Sequence, residues 1–206
     1  MKQHHTFGRR RVLSCLCQAA GVMLAVALVA NPVLAQRATP APGSDAPQPL
    51  QPGDAFGETI TLPQRLMIYL KGHSDWDSAF ETLVDAFKSL DEYMAKQSIK
   101  PIGPAMTIYT ETDDKGFSFE AALPIAAAPA DPPKGDLAVG QAPSGKMLKF
   151  VHRGSYDAMD STYEAITNYL DDKHLDAQGL FVEEYVTDPV KTNADNLVVN
   201  IFVPIK

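Results

Sequence analysis

The chain of 206 residues has two cysteines, Cys15 and Cys17, and none after them. That excludes disulfides and thiolate chemistry from everything downstream, so the folded part must be held together by its core. Basic charge is also scarce. Beyond residue 35 there are 14 Lys and Arg against 25 Asp and Glu, a net charge of −11. A field of that sign repels phosphate backbones and attracts cations, which argues against nucleic-acid binding. There is no Gly-rich phosphate loop and no Ser-His-Asp order of the familiar kinds. His73 and His152 end two matching apolar segments, but no third ligand stands at a diagnostic spacing. No metal and no other cofactor is therefore expected.

Long apolar runs are absent except at the start. Arg9, Arg10 and Arg11 precede a mostly apolar stretch from Val12 to Ala30, and Val33-Leu34-Ala35 precede Gln36. Charged region, apolar region and small residues at −3 and −1 spell a signal peptide over residues 1–35, which implies a periplasmic or secreted protein. Arg-Arg before Val-Leu also fits a twin-arginine signal. An uncleaved membrane anchor is the other reading of the same run. Cys15 has too little apolar sequence before it for a lipoprotein site. Residues 36–56 hold five prolines among Ala, Gly and Gln, the composition of a linker. Residues 57–206 remain, enough for one domain.

What is present is a repeat. One copy runs from 65 to 125 and the second from 146 to 205. RLMIYLKG and KMLKFVHRG open them as apolar strands. Helical spacing follows in each, through Trp76, Phe80, Leu83, Phe87, Leu90 and Met94 in the first and Met159, Tyr163, Ile166 and Leu170 in the second. Asp75 and Ser155 stand at the expected N-caps. IGPAMTIY and QGLFVEEY then give strands ending in Tyr109 and Tyr185, and FEAALPI and VNIFVPI close the copies. The bridge between copies is rich in Pro, Gly and Ala and reads as a loop. Each copy is strand–helix–strand–strand, so the expected fold is α+β: an antiparallel sheet with two helices on one face.

Side-chain alternation then assigns faces. Phe119, Ala121 and Leu123 match Val199, Ile201 and Val203 and face the helices. Glu120 and Ala122 match Asn200 and Phe202 and face away. Where the uncovered faces of two such halves meet, a groove is expected. Glu120, a lone carboxylate in an apolar strand, is its candidate anionic anchor. Tyr109 and Tyr185 are candidate walls, Trp76 and Tyr156 candidate mouth residues, and Phe202 beside Asn200 a candidate floor. Glu183 and Glu184 read as solvated charge.

The stretches HRGSYDAMDSTYEAITNYLDDKHLDAQG, EEYVTDP and VVNIFVPI, with IKPIGPAMTIYTETDDKGFSFEAALPI before them, resemble GyrI-like small-molecule-binding domains, which also serve as effector-binding domains of BmrR- and AraC-type regulators. The resemblance covers about residues 57–206. It implies a duplicated strand–helix–strand–strand fold whose central groove takes amphipathic, cationic or aromatic molecules, with a carboxylate as counter-charge. Carried over, that carboxylate is Glu120, and Asn200 stands where relatives carry a second glutamate. A leader and a linker occupy the place of the DNA-binding helices found ahead of this domain in many relatives.

The expectation is a binding module of the cell envelope that senses or sequesters a small lipophilic molecule. A hydrolase using Glu120 as general base, and a groove that docks a peptide or protein, are the alternatives.

Overall fold

Runs of β-branched and aromatic residues with period two, punctuated by Gly, Pro and Asp, set the strands, and the two 3.6-periodic segments set the helices. In the computed structural model, which describes residues 47–179 and 181–205, these form eight strands and two helices. The expected signal peptide, and the linker up to residue 46, lie outside the described residues. In chain order the elements are β1 (Phe56–Leu62), β2 (Leu66–Asp75), α1 (Ala79–Lys96), β3 (Met106–Thr112), β4 (Gly116–Pro124), β5 (Leu137–Gln141), β6 (Gly145–Gly154), α2 (Met159–Lys173), β7 (Val182–Tyr185) and β8 (Leu197–Pro204). A single 3-10 turn, Tyr156–Ala158, leads into α2.

All strands join one antiparallel sheet in the order β1-β6-β8-β7-β3-β4-β2-β5. The two copies, β2-α1-β3-β4 and β6-α2-β7-β8, meet where β3 pairs with β7. This is the expected α+β duplication. Two strands lie outside the repeats as read from sequence. The bridge assigned to a loop contains β5, and β1 precedes the first copy. Each of these edge strands pairs with the opening strand of the other copy: β1 with β6, and β5 with β2.

That exchange forces curvature. Six strand spacings, about 29 Å in a flat sheet, separate β1 from β2, yet only residues 63–65 connect them. Four virtual bonds reach no more than about 14 Å, so the sheet must curl until its two edges approach. The amide of Ala142 donates to the carbonyl of Arg65 at 2.8 Å, extending the β2–β5 ladder to that corner.

Curling gives the sheet two unequal cores. On the helix side, Leu83, Phe87 and Leu90 of α1 and Ile166 and Leu170 of α2 pack on Phe117, Phe119, Phe150, Val199 and Ile201. On the inner side, Met67, Met106, Ile108, Ala122, Met147, Val182 and Phe202 form a smaller buried cluster. The face expected to stay open as a groove is therefore filled at its centre.

The helix starts differ slightly from expectation. The carboxylate of Asp75 accepts from the amide of Ser78 at 2.8 Å, and α1 begins one residue later. Ser155 uses its carbonyl, not its hydroxyl, to accept from the Ala158 amide. The start of the chain's described part is also held. Asp54 receives two hydrogen bonds from Arg153, at 2.7 and 2.8 Å, and the Gln48 amide donates to the Arg153 carbonyl. Residues 48–56, given to the linker by composition, are thus fastened to β6.

Candidate functional site

The seam between the copies is where β3 and β7 run side by side, with Thr107 opposite Glu183 and Ile108 opposite Val182. Alternation puts Glu183 and Tyr185 of β7, and Thr107 and Tyr109 of β3, on the helix face. There the two helices flank the seam. Phe87 of α1 meets the Tyr185 ring at 5.4 Å, and Tyr163 of α2 reaches down to Glu183.

Three phenols converge on one carboxylate. The hydroxyls of Tyr109 and Tyr163 donate to Oε1 of Glu183 at 2.9 and 2.6 Å, and that of Tyr185 donates to Oε2 at 2.8 Å. The Tyr156 hydroxyl lies 3.3 Å from that of Tyr109 and extends the network outward. Glu183 has no exposed surface. Burial pushes its carboxyl upward, opposed by the three phenol hydrogen bonds. Burial, with the Glu183 charge second, pushes Tyr109, Tyr163 and Tyr185 well above the ordinary phenol range, so they remain donors. Among the described residues no lysine, arginine or histidine forms an ion pair with Glu183. The result is a desolvated acid in an aromatic box without a counter-cation.

Aromatic rings also run from this box to the surface. Trp76, 42% exposed, lies 4.9 Å from Phe117, which lies 5.1 Å from Tyr109. The Trp76 indole donates to the carbonyl of Asp113 at 2.9 Å. Phe80 of α1 and Tyr156 before α2 stack at 4.9 Å and bridge the two halves.

Of the residues singled out in the sequence, Tyr109, Tyr185 and Tyr156 come together here, and Trp76 stands at the outer end of the ring series. Glu120, Asn200 and Phe202 do not join them. They occupy the other face of the sheet, because strand alternation separates Glu120 from Phe119 and Asn200 from Val199 and Ile201. Glu120 is a partly buried strand acid with the Lys71 ammonium 4.0 Å away; burial raises its carboxyl and Lys71 lowers it. Asn200 donates to Glu184 at 3.0 Å, and Arg65 reaches the other oxygen of Glu184 at 3.4 Å. Phe202 belongs to the inner apolar cluster.

Glu183 requires the plainest correction. It reads as solvated charge in sequence but is the fully buried centre of the cluster. Its signal was available: Glu183 lies two residues before Tyr185 and must share its face. Tyr163 and Thr107 are likewise part of the cluster. Both nitrogens of His152 are occupied, Nδ1 by Thr162 at 2.8 Å and Nε2 by the Ser155 carbonyl at 3.0 Å.

A curled antiparallel sheet of two copies, two helices over the seam and a buried acid among aromatic rings between them match a known class of small-molecule-binding domain. The chain belongs to the GyrI-like small molecule binding domain family, whose pattern matches residues 58–206. No curated protein sequence matches it. Among solved structures, the fold is shared with EcmrR. Its C-terminal domain is 13% identical with a TM-score of 0.58, over 74% of this chain and 98% of that one. In the EcmrR–DNA complex the values are 14% and 0.62, over 73% of this chain and 57% of that one, so this chain spans little more than half of that protein. A hydrolase from Listeria innocua is 15% identical with a TM-score of 0.53, over 74% and 93%. SAV2435 bound to tetraphenylphosphonium is 14% identical with a TM-score of 0.51, over 73% and 94%.

Proposed function

We propose that the chain binds a lipophilic cation between the two helices at the seam, with Glu183 as counter-charge, and does so in the cell envelope as a sensing or sequestering module. The observation that carries this reading is a fully buried carboxylate bonded by three tyrosines, with a fourth behind them and no cation beside it among the described residues. Burying an ionised acid is costly unless a positive charge offsets it. A lipophilic organic cation supplies that charge, and each tyrosine face it meets adds about 0.5–2 kcal/mol. That SAV2435 is bound to tetraphenylphosphonium supports the ligand class. Entry requires the Phe80–Tyr156 stack to part, since the cluster is closed as it stands.

The test is a thermal shift on the full chain with tetraphenylphosphonium. At a hundredfold excess over Kd, mass action stabilises the folded state by about 2.7 kcal/mol, or about 5–10 °C at this size. Glu183→Gln should lose most of that shift while Glu120→Gln keeps it. The opposite pattern would return the anchor to the inner face, and an unchanged shift in both would sink the reading.

A further inference from the structure

Thr107 is fully buried beside the Tyr185 phenol, and among the described residues its hydroxyl oxygen accepts no hydrogen bond. Buried hydroxyls are rarely left so, because the missing bond costs as much as the desolvation. Its position is specific. Thr107 pairs directly with Glu183 across the seam, and side chains directly opposite in an antiparallel pair have Cβ atoms about 5 Å apart. Since Tyr109 and Tyr185 are equivalent in the two copies, Thr107 is the first copy's counterpart of Glu183. One copy supplies the acid, and the other supplies a neutral oxygen facing it.

Acceptor capacity on Glu183 is also incomplete. A carboxylate offers about four lone-pair positions. Two phenols occupy Oε1 and only one occupies Oε2. The open position on Oε2 and the Thr107 hydroxyl oxygen both adjoin the Tyr185 phenol, which donates to Oε2 and stands beside Thr107. A cation without N–H groups can neutralise the charge but leaves both oxygens unsatisfied. A protonated amine can satisfy one or both.

Resting on the assignment of the cation site to Glu183, we propose that Thr107 makes this site selective for protonated amines over quaternary onium ions, by accepting an N–H hydrogen bond beside the Glu183 salt link. An apolar box alone would favour the quaternary ion, because each extra methyl group gains transfer free energy. Preference for the amine therefore needs the paired acceptors.

The experiment is isothermal titration of the full chain at pH 7 with N,N-dimethylbenzylammonium and N,N,N-trimethylbenzylammonium, which differ by one methyl and one N–H. The wild type should bind the dimethyl ion about tenfold more tightly, the effect of leaving a buried acceptor unpaired. Thr107→Val keeps the shape and removes the acceptor. It should erase the preference and change binding of the trimethyl ion by less than about threefold. Thr107→Ser, which keeps the hydroxyl, should retain the preference and serves if the valine variant fails to fold. Equal affinities in the wild type, or a preference that survives Thr107→Val, overturn the proposal. Tetraphenylphosphonium is titrated alongside. If it binds in a Glu183-dependent way while the benzylammonium pair shows no such preference, only the role of Thr107 falls. If it fails too, the site assignment falls with it.

Discussion

Two strand glutamates, both pushed up by burial, separate by what surrounds them. Lys71 stands beside Glu120, so part of its desolvation is already offset. Glu183 meets only phenols, which donate but carry no charge. The sign of its pH effect follows. Its folded-state pKa lies above the unfolded value, so between the two the folded chain holds a proton that the unfolded chain has lost. The penalty of the buried charge is absent below the ordinary carboxylate range, near 4.3, and grows as pH rises through the folded value. Relative to Glu183→Gln, the wild type should therefore gain stability as pH falls from above its raised folded value toward the ordinary carboxylate range, read as a closing gap in Tm. Cation affinity should move the other way, weakening as the carboxyl takes up its proton. A gap that is flat or widens as pH falls would show that Glu183 is not a desolvated acid. Half of this site was legible beforehand. Tyr109, Tyr185 and Tyr156 follow from repeat alignment, but one member of an acidic pair in a four-residue strand looks like surface charge until its face is fixed by Tyr185.

At the scale of elements, both helices and the six strands of the repeats are legible from periodicity, since each carries its own apolar pattern. The two edge strands are not. β5 lies in a bridge whose Pro, Gly and Ala content hides it, and β1 shows its role only through pairing with β6, some ninety residues away in sequence. Non-local pairing leaves little trace in local pattern. The device that seats β1 is local, however. Its register shifts between Phe56 and Glu58, where Gly57 has φ +82° and its carbonyl accepts from the Tyr169 hydroxyl at 3.2 Å. Phe56 then meets Phe150 at 5.1 Å and Tyr169 at 5.8 Å. A Cβ on Gly57 would stand 2.2 Å from the Tyr169 ring and in a backbone region that alanine avoids. Gly57→Ala should cost about 2–3 kcal/mol, measured by urea unfolding with an unchanged m-value. A loss below about 0.5 kcal/mol, the range of neutral surface changes, would mean that β1 is not held this way.

For the whole molecule, duplication was the most legible feature and asymmetry the most informative. Two copies set a twofold seam, and at the seam one copy offers Glu183 where the other offers Thr107. The same unevenness appears in charge along the chain. All 25 acidic residues lie after residue 35, while the first 35 carry only basic ones. An acidic domain draws cations toward itself at low salt and repels anionic polymers. That character suits the proposed binding of organic cations in the envelope, where the absence of cysteine after residue 17 would make folding independent of disulfide formation. Export is therefore expected to yield a domain that begins at Gln36 and folds identically with or without oxidant. Expression of the full chain in a Gram-negative host, followed by fractionation and N-terminal sequencing, checks this. The expected product is periplasmic, starts at Gln36 and shows the same Tm before and after treatment with a thiol reductant. A full-length chain that stays with the membrane fraction would instead establish the apolar run from Val12 to Ala30 as a retained anchor. A full-length chain recovered from the cytoplasm would remove export, and with it the envelope role, while leaving the Glu183 site to stand on its own tests.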